Sequence, residues 1–222
     1  MASLNRLLAS LALATTAMAT SRTSAPSGCL SVAKSGATYS TIQAAVNALS
    51  TTSTSAQCIF INPGTYTEQV LVNAHDAELT FYGYTEDTSG YADNQVEITY
   101  SASQATGLSD DETGTLRIKT SNFKMYNINV NNGYGSGSQA IALSAYSNAG
   151  YYGCAFTGYQ DTVLAEEGAQ VYAASMIQGA TDFIFGQSAT AWFYNVDIRV
   201  LAASEGFITG ASPFSPRFYP GT

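Results

Sequence analysis

Short runs of alternating apolar and polar residues fill most of the chain after residue 57. Alternation with a period of two is typical of β-strands, and turn-forming residues such as Asn62-Pro-Gly64 separate the runs. The predicted strands are 58–61, 69–72, 79–82, 96–100, 116–118 and 123–130. The pattern therefore predicts an all-β domain.

One amphipathic helix precedes these strands. Ser40-Thr-Ile-Gln43 has the spacing of a capping box, and apolar residues from Ile42 to Leu49 share one helical face, which predicts a helix over 41–49. A lone helix suits a cap over the open end of a β structure, where unpaired strand edges need cover. No second helix is predicted. The acidic run Asp110-Asp-Glu112 is interpreted as a solvated loop without the ligand spacing of a metal site.

Pairs of inward-facing positions recur at regular intervals in the second half of the chain. The pairs are Ile128 and Val130, Cys154 and Phe156, Ser175 and Ile177, and Val196 and Ile198. The sequence numbers of their second members differ by 26, 21 and 21 (156 − 130, 177 − 156 and 198 − 177). One strand per interval predicts the coils of a right-handed parallel β-helix with helix 41–49 as its N-terminal cap. A β-sandwich is the alternative, although it requires no fixed period.

Composition and termini suggest how the chain is divided. The 222 residues are 45% hydrophobic and 11% charged, which favours one globular domain. A basic start, a short apolar run and small residues at Ala17 and Ala19 predict a secretory signal peptide over 1–19, with a buried N-terminal helix as the alternative. We therefore expect a secreted, extracellular protein with an N-terminal tail over 20–33 that is loose over 21–28, a β-helix over 34–209 and an irregular Pro-rich tail over 210–222.

Charge and cysteine content narrow the classes of partner. The formal net charge of −8 argues against nucleic acid and anionic membrane surfaces as partners, and a monomer is expected. Three cysteines allow at most one internal disulfide. Cys29 with Cys58 is the favoured pair, because Cys154 lies in a predicted core strand. No metal site is predicted, since His75 is the only histidine and no C-x-x-C motif occurs.

Polar residues share the period of the predicted coils. The sequence numbers of Asp161 and Asp182 differ by 21 (182 − 161), and so do those of Gln139 and Gln160 (160 − 139). Equivalent positions on neighbouring coils lie ~4.8 Å apart, and two carboxylates at that distance divide into a proton donor and a free carboxylate. That division suits nucleophilic carboxylate chemistry with acid assistance, while stacked amides can donate to a developing oxyanion.

Stacked polar residues also occur in solenoids as purely structural ladders, so spacing alone leaves both interpretations open. The apolar neighbours favour a binding site. Phe183-Ile-Phe185 follows Asp182 and Tyr159 precedes Gln160, which provides aromatic surface suited to a sugar ring. A catalytic triad would have to use His75, which lies in a polar, loop-like stretch, and no phosphate-binding or zinc-protease motif is present.

Four motifs, in order along the chain, resemble those of the pectin methylesterase family, particularly its fungal members. They are Gly64-Thr-Tyr-Thr-Glu68, Gln139-Ala-Ile-Ala-Leu143, Gly158-Tyr-Gln-Asp-Thr-Val163 and Asp182-Phe-Ile-Phe-Gly186. The resemblance implies a parallel β-helix that hydrolyses the C6 methyl esters of galacturonate units. Its partner would be methyl-esterified pectin (homogalacturonan), and the reaction would need no metal or cofactor.

The resemblance also implies individual roles. Asp182 would be the nucleophile, and Asp161 would protonate the departing methanol and then activate water. Gln139 and Gln160 would stabilise the tetrahedral oxyanion. Phe185 and Tyr159 are candidates for contact with the sugar.

One family motif is missing. The L-G-R-P-W segment, which carries an arginine and a tryptophan of the family's site, does not occur, and Arg199 and Arg217 lie in other contexts. We expect the chain to lack the family's last coils, which would leave the strand with Val196 and Ile198 as an exposed edge. A catalytically silent pectin-binding β-helix is therefore the alternative function. A pectin lyase or polygalacturonan hydrolase is a third, for which no suitable residues are found.

Overall fold

The computed structural model describes residues 20–204, 206–211 and 217–220. Its strands, numbered in chain order, form three parallel sheets. The first sheet contains β1 Leu30–Val32, β2 Gln57–Ile61, β5 Leu79–Gly83, β8 Phe123–Tyr126, β11 Ala149–Tyr152, β14 Ala169–Ala173, β17 Thr190–Tyr194 and β20 Arg217–Pro220. The second contains β4 Val70–Val72, β7 Leu116–Ile118, β10 Leu143–Ala145, β13 Val163–Ala165, β16 Thr181–Gly186 and β19 Phe207–Ala211. The third contains β3 Gly64–Thr67, β6 Val96–Tyr100, β9 Asn129–Asn132, β12 Ala155–Thr157, β15 Met176–Gly179 and β18 Asp197–Val200.

Successive strands pass from the first sheet to the third and then to the second, and each strand pairs in parallel with its equivalents on neighbouring coils. This is a right-handed parallel β-helix, as the sequence period predicts. The β-sandwich alternative is wrong, because sandwich sheets are antiparallel. Right-handed crossovers are favoured because twisted strands pack back onto a sheet with that hand.

The register follows the predicted intervals. Phe156 pairs with Val130 on one side and with Ile177 on the other, and Ile177 pairs with Ile198. The first three are fully buried, so their alignment stacks the core from coil to coil. Each such side chain stabilises the fold by about 1.5–3 kcal/mol relative to an exposed one. Ile198, on the last coil of the third sheet, is 39% exposed.

An aromatic column continues this core inside the first sheet. The ring of Tyr172 stacks on Tyr151 at 4.9 Å and on Phe193 at 5.0 Å between centroids. Offset stacking of this kind adds about 0.5–1.5 kcal/mol per pair to the burial of the rings. The column therefore ties together the three coils that also carry the candidate site.

Helix α1, Ile42–Asn47, confirms the predicted cap, although its N-cap is Thr41 rather than Ser40. Thr41 accepts a hydrogen bond from the amide of Ala44 at 3.2 Å. The carboxylate of Glu68 accepts two more from the amides of Ile42 and Gln43, at 2.8 and 2.9 Å. Glu68 thus joins the first coil to the helix that covers it, because the first amides of a helix lack partners of their own.

The prediction of a solvated acidic loop at 110–112 is wrong. A second helix, α2, spans Asp110–Thr113 and follows a 3₁₀ turn at Gln104–Thr106. Ser109 and Glu112 form a complete capping box, and acidic residues in a first helical turn are stabilised by the helix dipole. Asp111 is partly buried and forms ion pairs with Arg117 at 2.5 Å and Lys119 at 2.7 Å.

Part of the N-terminal tail predicted over 20–33 has ordered contacts with the coils. The guanidinium of Arg22 donates to the carbonyl of Gly83 and to Oδ1 of Asn127, both at 3.1 Å, and lies 5.0 Å from the ring centroid of Tyr82. Strand β1 lies in the same stretch, so ordered structure begins before residue 34. Residues 210–222 are predicted as an irregular tail, but Arg217–Pro220 forms strand β20, which pairs with β17. Residues 1–19, the predicted signal peptide, lie outside the described residues.

The predicted disulfide between Cys29 and Cys58 is present, and Cys154 is a buried free thiol. Burial raises the pKa of the Cys154 thiol to about 12, so it remains protonated and unreactive at ordinary pH. In the part of the chain that the structure describes, no helix has the length and apolar character needed to cross a bilayer.

Candidate active site

An open cavity of about 640 Å³ lies at the corner where each coil passes from the third sheet to the second. Residues of successive coils meet there. Gln139 precedes β10, Gln160 and Asp161 precede β13, and Asp182 lies at the start of β16. The full lining is Asp110, Gln139, Tyr146, Gln160, Asp161, Leu164, Glu166, Asp182, Phe185, Gly186, Gln187, Phe207, Thr209 and Gly210.

The strand register places the two aspartates opposite one another. Gln160 pairs with Thr181, and Val163 pairs with Ile184, so the sequence numbers differ by 21 (181 − 160 and 184 − 163) on both sides of Asp161. The amide of Asp161 donates to the carbonyl of Thr181 at 3.1 Å, as expected for this register. The predicted equivalence of Asp161 and Asp182 on neighbouring coils is therefore confirmed.

Both aspartates adopt a backbone conformation that most residues avoid. The φ angle is 64° at Asp161 and 47° at Asp182, in the left-handed region. Aspartate and asparagine tolerate this region better than other non-glycine residues, and such conformations concentrate at functional sites. The fold thus holds two adjacent carboxylates at a bend, with both facing the cavity.

Burial and charge act together on Asp161. Its side chain is 7% exposed, and its pKa is raised to about 7, first by burial and then by the negative charges of Asp110 and Asp182. Asp161 therefore holds a proton up to near-neutral pH. The spacing predicts that one aspartate of the pair keeps its proton, and Asp161 is that residue.

The raised pKa of Asp161 predicts a pH-dependent stability. Between the unfolded pKa of about 3.9 and the folded pKa of about 7, the native state binds more protons than the unfolded state, so stability falls as pH rises. An asparagine cannot ionise, and Asp161→Asn should escape this loss. We expect its free energy of unfolding relative to wild type to rise by about 2–4 kcal/mol between pH 4 and pH 8.

Denaturant unfolding of both proteins at several pH values measures the difference. Asp76→Asn, at an exposed carboxyl, is the control and should follow the wild-type curve. Parallel pH profiles for wild type and Asp161→Asn would contradict the assignment.

The two glutamines lie one above the other at the same corner. The amide of Ala140 donates to the carbonyl of Gln160 at 3.2 Å, which keeps the offset of 21 between the glutamines. Further along the strand, the carbonyl of Thr162 accepts hydrogen bonds from the backbone amides of both Ala142 and Leu143, at 2.9 and 3.1 Å. From there on, the sequence numbers of paired residues differ by 20 instead of 21. The pairing therefore changes only beyond the site.

The side chains of the four candidate catalytic residues are not engaged by neighbouring protein groups in the part of the chain that the structure describes. Among the described residues, no hydrogen-bond partner occurs for the side chains of Gln139, Gln160, Asp161 or Asp182. Their donors and acceptors face an open cavity rather than neighbouring protein groups.

The two aromatic candidates differ in position. Phe185 lines the cavity, whereas Tyr159 lies outside it and its hydroxyl donates to the carbonyl of Ala202 at 3.2 Å. A ligand would reach Tyr159 only if it extended beyond the cavity. The contact predicted for Tyr159 therefore stays a prediction.

The structure adds lining residues that the sequence did not indicate, notably Asp110, Glu166 and Gly210. A capping-box signal at Ser109-Asp-Asp-Glu112 was available for the helix that carries Asp110. Gly210 approaches Asp182 closely, since a Cβ atom there would lie 2.9 Å from Cβ of Asp182. Among the described lining residues none is basic, and Arg199 instead donates to the hydroxyl of Tyr91 at 2.8 Å.

Fold and site together define a class: a parallel β-helix protein whose coils present a pair of carboxylates and a pair of amides in an open cleft. Comparison with known proteins identifies the family. The pectinesterase family model matches residues 30–210. The chain therefore belongs to the pectinesterase family.

Individual relatives agree with this assignment. A pectinesterase of Aspergillus niger is 56% identical over 197 residues, which are 88% of this chain and 60% of that protein. The crystal structure of the deglycosylated pectin methylesterase from Aspergillus niger gives a TM-score of 0.75 at 50% identity, covering 80% of this chain and 58% of that one. The pectin methylesterase from carrot gives 0.71 at 28% identity, covering 79% and 54%. The chain spans about 60% of the length of the pectinesterase relative.

Proposed function

We propose that this chain hydrolyses the C6 methyl esters of galacturonate units in pectin, releasing methanol and leaving free carboxylates. The observation that supports this most is the register that puts Asp161 opposite Asp182 while burial keeps a proton on Asp161. Membership of the pectinesterase family supports the substrate class.

In the proposed first step, Asp182 attacks the ester carbonyl carbon, and the carbonyl π electrons move to its oxygen. The side-chain amides of Gln139 and Gln160 donate hydrogen bonds to this oxyanion, in the cavity that they share with both aspartates. Collapse of the tetrahedral species breaks the bond to the methoxy oxygen, which takes the proton of Asp161. Methanol leaves, and a mixed anhydride links Asp182 to the galacturonate.

In the second step Asp161, now a carboxylate, removes a proton from water as the water oxygen attacks the galacturonyl carbon. The anhydride bond breaks and its electron pair returns to Asp182. One ester and one water become one carboxylic acid and one methanol, and both aspartates regain their starting protonation. A donor with a pKa of about 7 suits both roles, because it gives and accepts a proton near neutral pH.

Methanol release from highly methylated pectin by the purified chain tests the proposal. We expect methanol in proportion to enzyme, with no new reducing ends from de-esterified polygalacturonate. Retention of the chain on pectin without methanol release would support the silent binding protein instead. New reducing ends or unsaturated products would support a pectin-cleaving hydrolase or lyase.

A further inference from the structure

We propose that Asp110 is a positioning residue of this site, whose negative charge keeps Asp161 protonated as the pH approaches neutrality. The inference rests on the proposed function, because it concerns the proton that the first step consumes. It adds a third carboxylate to the pair that the sequence period predicts.

The topology places Asp110 at the same corner as the pair. The connection from β6 to β7 contains the 3₁₀ turn and α2, and it makes the same passage from the third sheet to the second as the segments that carry Gln139 and Asp161. Asp110 lines the cavity together with both. This long connection therefore forms one wall of the cleft, on the coil that precedes the coil of Gln139.

Hydrogen bonds fix this wall to the coil of Gln139. The side-chain amide of Gln104 donates to the Asp110 carboxylate, and the backbone amide of Gln104 donates to the carbonyl of Gln139 at 3.0 Å. On the other side of α2, Oγ1 of Thr113 accepts from the amide of Ile141 at 3.1 Å. Asp110 therefore keeps a defined place relative to the amides and carboxylates of the site.

Besides burial, two negative charges at the cleft raise the pKa of Asp161. Of the two carboxylates that raise its pKa, Asp110 has a larger effect than Asp182. Glu166 and the phenol of Tyr146 also line the cavity, and burial raises the pKa of each, that of Tyr146 to about 12. Neither group is among the causes that shift the pKa of Asp161.

No cation is among the causes that shift the pKa of Asp161. Arg117 and Lys119 both pair with Asp111, at 2.5 and 2.7 Å, on the side of α2 that does not line the cavity. Lys119 also lies 3.1 Å from the ring centroid of Tyr146. Burial raises the pKa of Asp110 itself, whereas the hydrogen bond from the neutral side-chain amide of Gln104 lowers it. The ionised form of Asp110 therefore keeps a full negative charge toward Asp161.

The protonation state of Asp161 determines the direction in which the pH profile should move. Asp161 must be protonated for the first step, so loss of its proton produces the alkaline limb of the pH profile of kcat/KM. A nearby negative charge favours the protonated form and moves that limb to higher pH. Removing the charge at residue 110 should therefore move the limb to lower pH.

The test is the pH profile of methanol release by Asp110→Asn, beside Glu112→Gln as control. Glu112 carries the same charge on the same helix but is exposed and does not line the cavity, and glutamine at this position can still complete a capping box. We expect the alkaline limb of Asp110→Asn to fall by about half to one pH unit, with kcat at low pH changed less than about threefold. Glu112→Gln should leave the limb in place. An unmoved limb in Asp110→Asn, or a rise in KM at every pH, would overturn the proposal in favour of a structural or direct substrate-contact role.

A ¹³C NMR titration of the Asp161 carboxyl, assigned by its absence in Asp161→Asn, separates this inference from the proposed function. The titration midpoint should fall in Asp110→Asn whether or not the wild type releases methanol. A wild type without methanol release but with a lower midpoint in the variant would contradict only the proposed function. An active wild type with equal midpoints would contradict only the inference. Asp110→Ser, also neutral and smaller, provides the same comparison if Asp110→Asn does not fold.

Discussion

Asp182→Asn is expected to reduce methanol release by at least about a thousandfold, because a neutral amide cannot act as the carboxylate nucleophile. The fold should survive the change. Asparagine has nearly the same shape and tolerates the left-handed backbone conformation, with φ of 47°, that Asp182 adopts. Binding of pectin should also persist, since the change removes the nucleophile and leaves the aromatic and amide contacts.

Rates of methanol release at several substrate concentrations, with a thermal unfolding curve for each protein, measure this effect. Asp76→Asn is again the matched control, because it replaces an exposed aspartate away from the cavity by the same residue. Residual activity of Asp182→Asn within tenfold of the wild type, with an unchanged melting temperature, would exclude Asp182 as the nucleophile.

Gly186→Ala is expected to destabilise the chain by more than about 3 kcal/mol, through two independent effects. Gly186 has φ of 154°, a conformation that residues with a side chain rarely adopt. A Cβ atom there would also lie 1.8 Å from the carbonyl oxygen of Ala165 and 2.5 Å from its carbonyl carbon. Both atoms belong to the backbone of the neighbouring coil, so no side-chain rotation can relieve the clash.

Gly90→Ala is a suitable control for this change. The nearest atom to a Cβ at Gly90 is the carbonyl oxygen of Ala174 at 3.8 Å, an ordinary contact. Denaturant midpoints of both variants and the wild type give the comparison. A loss of less than about 1 kcal/mol in Gly186→Ala would mean that β16 can move away from β13, contrary to the fixed packing of the coils.

The sequence predicts the central residues of this site, because stacked coils bring residues that are one coil length apart in the chain close together in space. Asp161 and Asp182 lie where the coil length is constant, so a fixed interval in the sequence is sufficient to bring them together. Gln139 and Gln160 meet for the same reason, because the difference of 21 between paired sequence numbers changes only beyond these residues.

Residues outside the constant interval could not be found in this way. Asp110 lies in a long connection whose position depends on capping and on hydrogen bonds to another coil. Gly210 faces Asp182 across a pairing that shifts register between Thr181 and Ile184, so no single offset relates the two. Arg22 belongs to a Ser/Thr/Pro-rich stretch without periodicity, and its order comes from contact with the stacked rings of Tyr82 and Tyr126.

The coils differ in length, and this difference determines where the chain tolerates insertions and deletions. The coil from Val130 to Phe156 is longer than the next one, and it includes the Gly-rich connection from Gly133 to Gly137 between β9 and β10. Residues gained or lost in that connection would lie outside the paired strands and leave the strand pairing intact. A single-residue deletion inside one of the paired strands would instead shift the register of that strand and turn the side chains beyond the deletion to the opposite face.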